Sequence, residues 1–191
     1  MNIMTNVYFV RHAESDNKVH DDMSRPLTEK GTKDRSLVTN YLGDKGISAV
    51  FSSPYKRAYD TVAVFAQQNG IDITCIDDFR ERKVADTWIE DFSSYAKMQW
   101  EDFGHKISSG ESLGEVQTRN VEALHELLAS CKDKNIVIGT HGTALSTVVN
   151  YFDNSFSHDR FNEFVGLMPW IVHFAFEKDK CISINHINLF E

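Results

Sequence analysis

The stretch that most constrains this chain is Val7-Tyr8-Phe9-Val10-Arg11-His12-Ala13-Glu14-Ser15. Four apolar residues rich in β-formers run straight into an arginine–histidine pair, followed by small and polar residues. Packing gives no reason to end an apolar strand on two cationic side chains. A site at the carboxyl end of a sheet does, because that is where open α/β folds place their ligands. A lone Arg-His pair would read as a solvated strand end. Two further segments that end in a comparable way shift the balance.

Those segments emerge when the chain is followed in order. The polar stretch Asp16 to Arg25 is too charged and irregular for an element. Pro26-Leu27-Thr28-Glu29 then opens a helix with Thr28 as N-cap, and Gly43 and Gly46 close it. Ile47 to Phe51 is a short apolar strand ending at Ser52-Ser53-Pro54. Ser53 is expected as N-cap, with Pro54 at the first helical position. Ala58, Thr61, Val62, Phe65 and Ala66 form the helical stripe that follows, and Arg57 falls in its first turn. Ile71 to Ile76 reads as a third strand, and Asp77 to Lys83 leaves it as a charged loop.

From Val84 to Ser109 the pattern is weak but aromatic-rich, with Trp88, Phe92, Tyr95, Trp100 and Phe103. This suggests short helices that cover either core or a pocket. Ser112 and Glu115 fit a capping box opening a long helix. Asn135 to Gly139 is a fully apolar and therefore central strand, which ends in Thr140-His141-Gly142 before a further helix. Phe156 to Met168 reads as helical. Trp170–Phe176 and Cys181–Leu189 alternate on either side of a charged turn, the pattern of a β-hairpin at a sheet edge. The expected fold is therefore a three-layer αβα sandwich, with a mostly parallel central sheet and a C-terminal β-hairpin. One domain is expected over 1–191, with a helical lid over about 84–109.

Three strands thus end in Arg11-His12, in Ser53 leading to Arg57, and in His141-Gly142. Helical crossovers between parallel strands bring those ends to one edge of the sheet. Arginine forks and helix N-termini gathered there make an anion site suited to phosphate or carboxylate oxygens. A histidine among arginines is held neutral, and a neutral imidazole is a competent nucleophile toward phosphorus. That pattern suggests phosphoryl transfer, with Arg11, Arg57 and His141 holding the transferring charge. By chain order Glu81 is the best-placed acid for the leaving oxygen. Its plainer reading is a surface carboxylate paired with Arg80 or Arg82.

Arg11-His12-Ala13-Glu14-Ser15 resembles the R-H-[GA]-E-[ST] motif of the histidine phosphatase superfamily, the phosphoglycerate mutase-like fold. Pro26-Leu27-Thr28-Glu29-Lys30-Gly31 is similar to the family's P-L-T-x-x-G, and Ser52 to Ala58 to its S-S-P-x-x-R-A. Phe79-Arg80-Glu81, Gly110-Glu111-Ser112 and Thr140-His141-Gly142 complete the series in the family's order. The resemblance implies phosphorylation of His12, proton donation by Glu81, a phosphoryl clamp of Arg11, Arg57 and His141, and neither metal nor cofactor. Substrate contacts are expected from Ser15, Asn17, Lys18 and Gly142. The family's usual asparagine, six residues after the nucleophile, is here Lys18, with Asn17 one earlier. The W-E-G run and the long insertion of true mutases are missing.

These features favour a phosphatase acting on a small phosphorylated metabolite. The alternatives are a 2,3-bisphosphoglycerate-dependent phosphoglycerate mutase and a non-catalytic phosphoryl-binding module. A mutase must hold a bisphosphate, yet the region after Glu81 sets Arg82, Lys83, Lys97 and Lys106 against Asp86, Glu90, Asp91, Glu101 and Asp102. A net charge of −8 excludes a general nucleic-acid binder. Cys75, Cys131 and Cys181 have no metal-ligand spacing and read as reduced thiols. No stretch approaches the roughly 20 apolar residues of a membrane span. A cytoplasmic location with no membrane partner is expected, and a homodimer is allowed.

Overall fold

The computed structural model describes residues 4–86 and 89–191, so Trp88 lies outside the described residues. Six strands form one sheet in the order β3-β2-β4-β1-β5-β6. They are β1 (Thr5–Arg11), β2 (Ile47–Ser52), β3 (Ile73–Cys75), β4 (Asn135–Thr140), β5 (Trp170–Glu177) and β6 (Lys180–Ile187). β1, β2, β3 and β4 pair in parallel, while β5 and β6 add as an antiparallel hairpin on the β1 side. The expected mostly parallel sheet with a terminal hairpin is what forms. β4 is central, and its register sets Thr140 beside Arg11 and Gly139 beside Ser52.

The helices are α1 (Glu29–Leu42), α2 (Lys56–Gln68), α3 (Phe92–Glu101), α4 (Leu113–Ser130), α5 (Gly142–Phe152) and α6 (His158–Phe164). Period-two alternation along β1 divides the core between the two faces. Val7 and Phe9 pack with the apolar residues of α4 and α5, and Tyr8 and Val10 with those of α1 and α2. Phe9, Phe65, Phe174 and Trp170 are all fully buried. Burying each such side chain contributes roughly 1.5–3 kcal/mol relative to exposure. Because the strands are buried on both faces, β1 and β4 read as continuous apolar runs.

Two helix starts follow the sequence closely. The Thr28 hydroxyl accepts from the amide of Gly31, and Ser112 with Glu115 forms a reciprocal capping box. Gly31 is fixed by a close approach: a Cβ there would lie 2.0 Å from the carbonyl oxygen of Glu14. The P-L-T-x-x-G run is therefore the means by which α1 seats against the loop that leaves β1.

Several boundaries differ from expectation. α2 begins at Lys56 with Tyr55 at its N-cap, not with Ser53 capping and Pro54 first. The Ser53 hydroxyl accepts from the amide of Tyr55 at 3.2 Å and also pairs with His141. The third strand shrinks to three residues at the sheet edge, and Asp77–Phe79 forms a short 3-10 turn that buries Phe79. The flap carries one described helix, α3, whose Trp100 rests against Phe103, Phe156 and Phe161. The segment 156–168 is helical only over α6, and Val165, just past its end, is exposed.

Candidate active site

His12 follows the last residue of β1 and is buried. Its Nδ1 lies 2.7 Å from the carbonyl oxygen of Ala13, and its Nε2 lies 3.2 Å from Nε of Arg57. A carbonyl can only accept and a guanidinium N–H can only donate. Nδ1 therefore carries the proton, and the lone pair sits on Nε2, aimed at Arg57. Burial first, then the charges of Arg57 and Arg11, hold the imidazole well below the ordinary histidine range. The ring is neutral and basic only at Nε2.

Arg57, in the first turn of α2, is almost fully buried. Besides His12 it donates through Nη1 to the carbonyl oxygen of Asp22 at 2.6 Å, and its Nη2 lies 3.3 Å from the Asp22 carboxylate. Its backbone is tied to the loop that follows His12 by Thr61, which donates to the Arg57 carbonyl and accepts from the Ala13 amide. A member of the helical stripe thus holds α2 against the end of β1.

Arg11, the last residue of β1, sits on the other side. Burial brings its guanidinium down to about 10. Nη1 donates to the carbonyl oxygens of Phe164, Val165 and Leu167, so the end of α6 and the turn after it fix the side chain. Nε is buried with no partner among the described residues. Gly142, the first residue of α5, leaves the space Arg11 fills, since a Cβ there would lie 3.0 Å from Nε.

His141 is the N-cap of α5 and fully buried. Its ring centroid is 5.3 Å from that of His12, and its Nε2 pairs with the Ser53 hydroxyl at 2.8 Å. Its Nδ1 is a second buried nitrogen without a partner among the described residues. Burial, Arg57 and His12 hold it well below the ordinary range. Two buried nitrogens without partners in the cluster around His12 are costly in a closed core and useful beside a bound anion.

Glu81 reaches the same edge through the N-terminus of α5. Its Oε2 accepts from the amide of Thr143 at 3.1 Å, and its Oε1 from Ala144 at 3.1 Å and from Arg82 at 2.8 Å. The side chain thus sits at the N-terminus of α5, held by three backbone amides. This is not the surface pairing with Arg80 or Arg82 that its spacing allowed. Arg80 binds Asp77 and Glu111, and Arg82 is buried beneath the flap, where it bonds Gln99.

The structure therefore brings together Arg11, His12, Arg57, His141, Gly142 and Glu81. Ser15 is buried in a bridge to Leu27, on the loop that leaves β1. Asn17 and Lys18 stand on an exposed turn whose amide at Lys18 bonds Asp16. A cavity of about 560 Å³ opens beside the cluster, with Asp22, Tyr55, Arg80, Lys83, Asp86 and Glu111 on its wall.

Two participants had no signal in the sequence. Arg119 in α4 forks onto both Glu111 oxygens and donates to the carbonyls of Asp78, Arg80 and Glu81. It holds the loop that carries Glu81. Asp22, in the polar stretch too irregular to read as an element, is the partner of Arg57. Among the described residues no group of histidine, cysteine, aspartate and glutamate side chains is placed to hold a metal ion.

The family model described as the histidine phosphatase superfamily, branch 1, matches residues 7–184. A probable phosphoglycerate mutase GpmB of Salmonella typhi is 29% identical over 166 residues, covering 77% of this chain and 74% of that protein. Its counterpart in Serratia proteamaculans is 27% identical over 161 residues, with the same coverage. Among solved structures, native mycobacterial glucosyl-3-phosphoglycerate phosphatase superposes with a TM-score of 0.75 at 20% identity, covering 96% of this chain and 97% of that one. A mutant phosphoserine phosphatase from Entamoeba histolytica in complex with phosphoserine gives 0.74 at 20% identity, covering 95% and 96%. At such identities the two structures establish likeness of fold.

Proposed function

The chain belongs to the histidine phosphatase superfamily, branch 1, and on that premise we propose that it hydrolyses phosphomonoesters through a phosphohistidine on His12. One observation carries the reading. The only basic nitrogen of a buried, neutral His12 points at a guanidinium, and two buried nitrogens of the same cluster, Arg11 Nε and His141 Nδ1, have no partner among the described residues.

In the proposed reaction the phosphoryl group enters between His12, Arg11, Arg57 and His141. Its oxygens take over the Nε donor of Arg57, which frees the lone pair on His12 Nε2. That lone pair attacks phosphorus and the bond to the leaving oxygen breaks. Arg11, Arg57 and His141 hold the charge that spreads over the phosphoryl oxygens. Glu81 supplies the proton to the leaving alcohol. Its Oε2 accepts a single amide hydrogen, which leaves a position for that proton. Water then attacks phosphorus, Glu81 takes its proton, and the P–N bond breaks to release phosphate and restore His12. None of these steps uses a metal ion or cofactor.

The substrate we propose is a small phosphorylated metabolite, turned over in the cytoplasm. No helix among the described residues is long and apolar enough to cross a membrane. We assign Ser15 and Gly142 to the lining of the phosphoryl pocket and Asn17 and Lys18 to its rim, under a lid formed by the segment at about 84–109. The names of the GpmB relatives support a mutase reading. Against it, Arg80 and Lys83 on the cavity wall are already ion-paired, leaving little to hold a bisphosphate. Free phosphate release from a panel of phosphorylated metabolites, with mutase turnover assayed alongside, tests the proposal. Phosphate release is expected. Return of the phosphoryl group to phosphoglycerate without phosphate release would overturn it.

A further inference from the structure

Asp22 occupies the seam between the phosphoryl pocket and the cavity beside it. Its carboxylate lies 3.3 Å from Nη2 of Arg57 and 3.2 Å from Nη2 of Arg25, and it forms part of the cavity wall. The two ends of the Arg57–Asp22 pair differ sharply, the guanidinium being 3% exposed and the carboxylate 47%. One half belongs to the phosphoryl clamp and the other faces whatever is attached to the phosphate. The neighbouring Asp21 plays a different part, because its carboxylate binds the amide and hydroxyl of Ser24 and shapes the turn.

The rest of that wall offers nothing to a second anion. Arg80 bonds Asp77 and Glu111, and Lys83 pairs with Asp86 at 2.6 Å. Glu111 is further bound by Arg119. His20 also lines the cavity. Beyond Arg57 the half-exposed Asp22 carboxylate, which Arg25 shares, faces a chamber whose other arginine and lysine are ion-paired. A leaving group that carries a carboxylate or second phosphate would meet Asp22 at close range. A hydroxyl or an ammonium would not be repelled, and an ammonium would gain from the same charge.

Resting on the phosphatase reading, we infer that Asp22 is a specificity-determining residue. It admits phosphomonoesters of neutral or ammonium-bearing alcohols and rejects those with a second anion near the phosphate. The geometry makes the side chain separable from the clamp. The main-chain carbonyl of Asp22 accepts from Arg57 Nη1 at 2.6 Å, and a change of side chain leaves that bond in place.

The test measures binding, so it does not depend on turnover. Calorimetry on the full chain, carrying His12→Ala in every protein so that nothing is hydrolysed, compares O-phosphoethanolamine with 3-phosphoglycerate with Asp22 unchanged, in Asp22→Asn, and in Asp22→Ser as a second variant. With Asp22 unchanged, phosphoethanolamine should bind at least 10-fold tighter. In the variants that ratio should fall about 10-fold, equivalent to about 1.4 kcal/mol, mainly through tighter 3-phosphoglycerate. An unchanged ratio in both folded variants, or a preference for 3-phosphoglycerate with Asp22 unchanged, would overturn the inference. Hydrolysis of p-nitrophenyl phosphate by the chain with His12 intact, followed in parallel, reports on the phosphatase reading alone. Its absence with the binding ratio intact would sink hydrolysis and leave the preference standing.

Discussion

The Nε–H of Arg57 is directed at the lone pair of His12 Nε2 across 3.2 Å. On the proposed mechanism Arg57 masks the nucleophile in the free protein, and an arriving phosphoryl oxygen must draw that donor away. Only a guanidinium can do this while also bonding Asp22 through Nη1. Arg57→Lys keeps the charge but loses the planar fork. We expect kcat/KM for p-nitrophenyl phosphate to fall roughly 10²–10³-fold, the scale of losing one preorganised donor. A loss below 10-fold would mean that the clamp acts as a diffuse charge.

Glu81 should matter in proportion to how badly the leaving group needs a proton. Alkyl phosphates expel a poor leaving group, whereas p-nitrophenolate departs as a stable anion. Glu81→Gln should slow alkyl phosphates by roughly 10²-fold or more and p-nitrophenyl phosphate much less. The comparison is made on single-turnover rates, where phosphorylation of His12 limits. Equal slowing of both substrates would leave Glu81 as an anchor of α5 and not a donor.

Arg119 is a positioning residue for that acid, through its bonds to the carbonyls of Arg80 and Glu81 and its fork on Glu111. Arg119→Met should reproduce the leaving-group dependence of Glu81→Gln in weaker form, with alkyl phosphates slowed about 10-fold. It should also destabilise the fold by about 1.5–3 kcal/mol, the range for hydrogen bonds to charged groups. Lysine should not rescue it, because the bidentate geometry is lost. A variant with lower stability but no leaving-group dependence would give Arg119 a purely structural role.

The buried histidines make stability depend on pH. Burial and nearby arginines depress the folded pKa values of His12 and His141 well below the ordinary 6.5. Once the pH falls below 6.5 the unfolded chain binds protons that the folded one refuses, so stability is full above 6.5 and declines on acidification. Each such histidine contributes up to about 1.4 kcal/mol per pH unit below that point. The raised stability that Glu111 owes to its lowered pKa is lost only at more acidic pH, below its usual 4.5. His173 and His186 are depressed by burial as well, so urea midpoints between pH 7.5 and 5 should drop, and His141→Gln should remove roughly a quarter to a half of the slope. A flat profile over this window would contradict the buried, neutral pair.

Much of the site was legible because strand ends are legible. β1, β2 and β4 are apolar runs that stop on polar signals, and parallel pairing puts those stops on one edge. Thr28 and Ser112 announced their helices by local chemistry that nothing distant disturbs. Ser53 was misread because its hydroxyl has a competing partner, His141, supplied by a strand far away in the chain. Glu81 was located by order alone; its attachment to the amides of Thr143 and Ala144 is a long-range contact without any local pattern. Asp22 and Arg119 stayed hidden for the same reason, as ordinary charged residues on a loop and on a helix. The third strand was overestimated because only three residues of its alternating run find a partner in β2.

The central claim is a covalent intermediate on His12, and trapping it is the most direct measurement. The full chain is mixed with substrate labelled in the phosphoryl group, quenched within milliseconds under alkaline conditions, and mapped by peptide mass. Phosphohistidine survives alkali and is lost in acid. The account predicts an acid-labile label on the peptide carrying His12, formed in a burst before steady turnover and missing from folded His12→Ala. Steady hydrolysis with no labelled protein at any time, or undiminished turnover by His12→Ala, would contradict it.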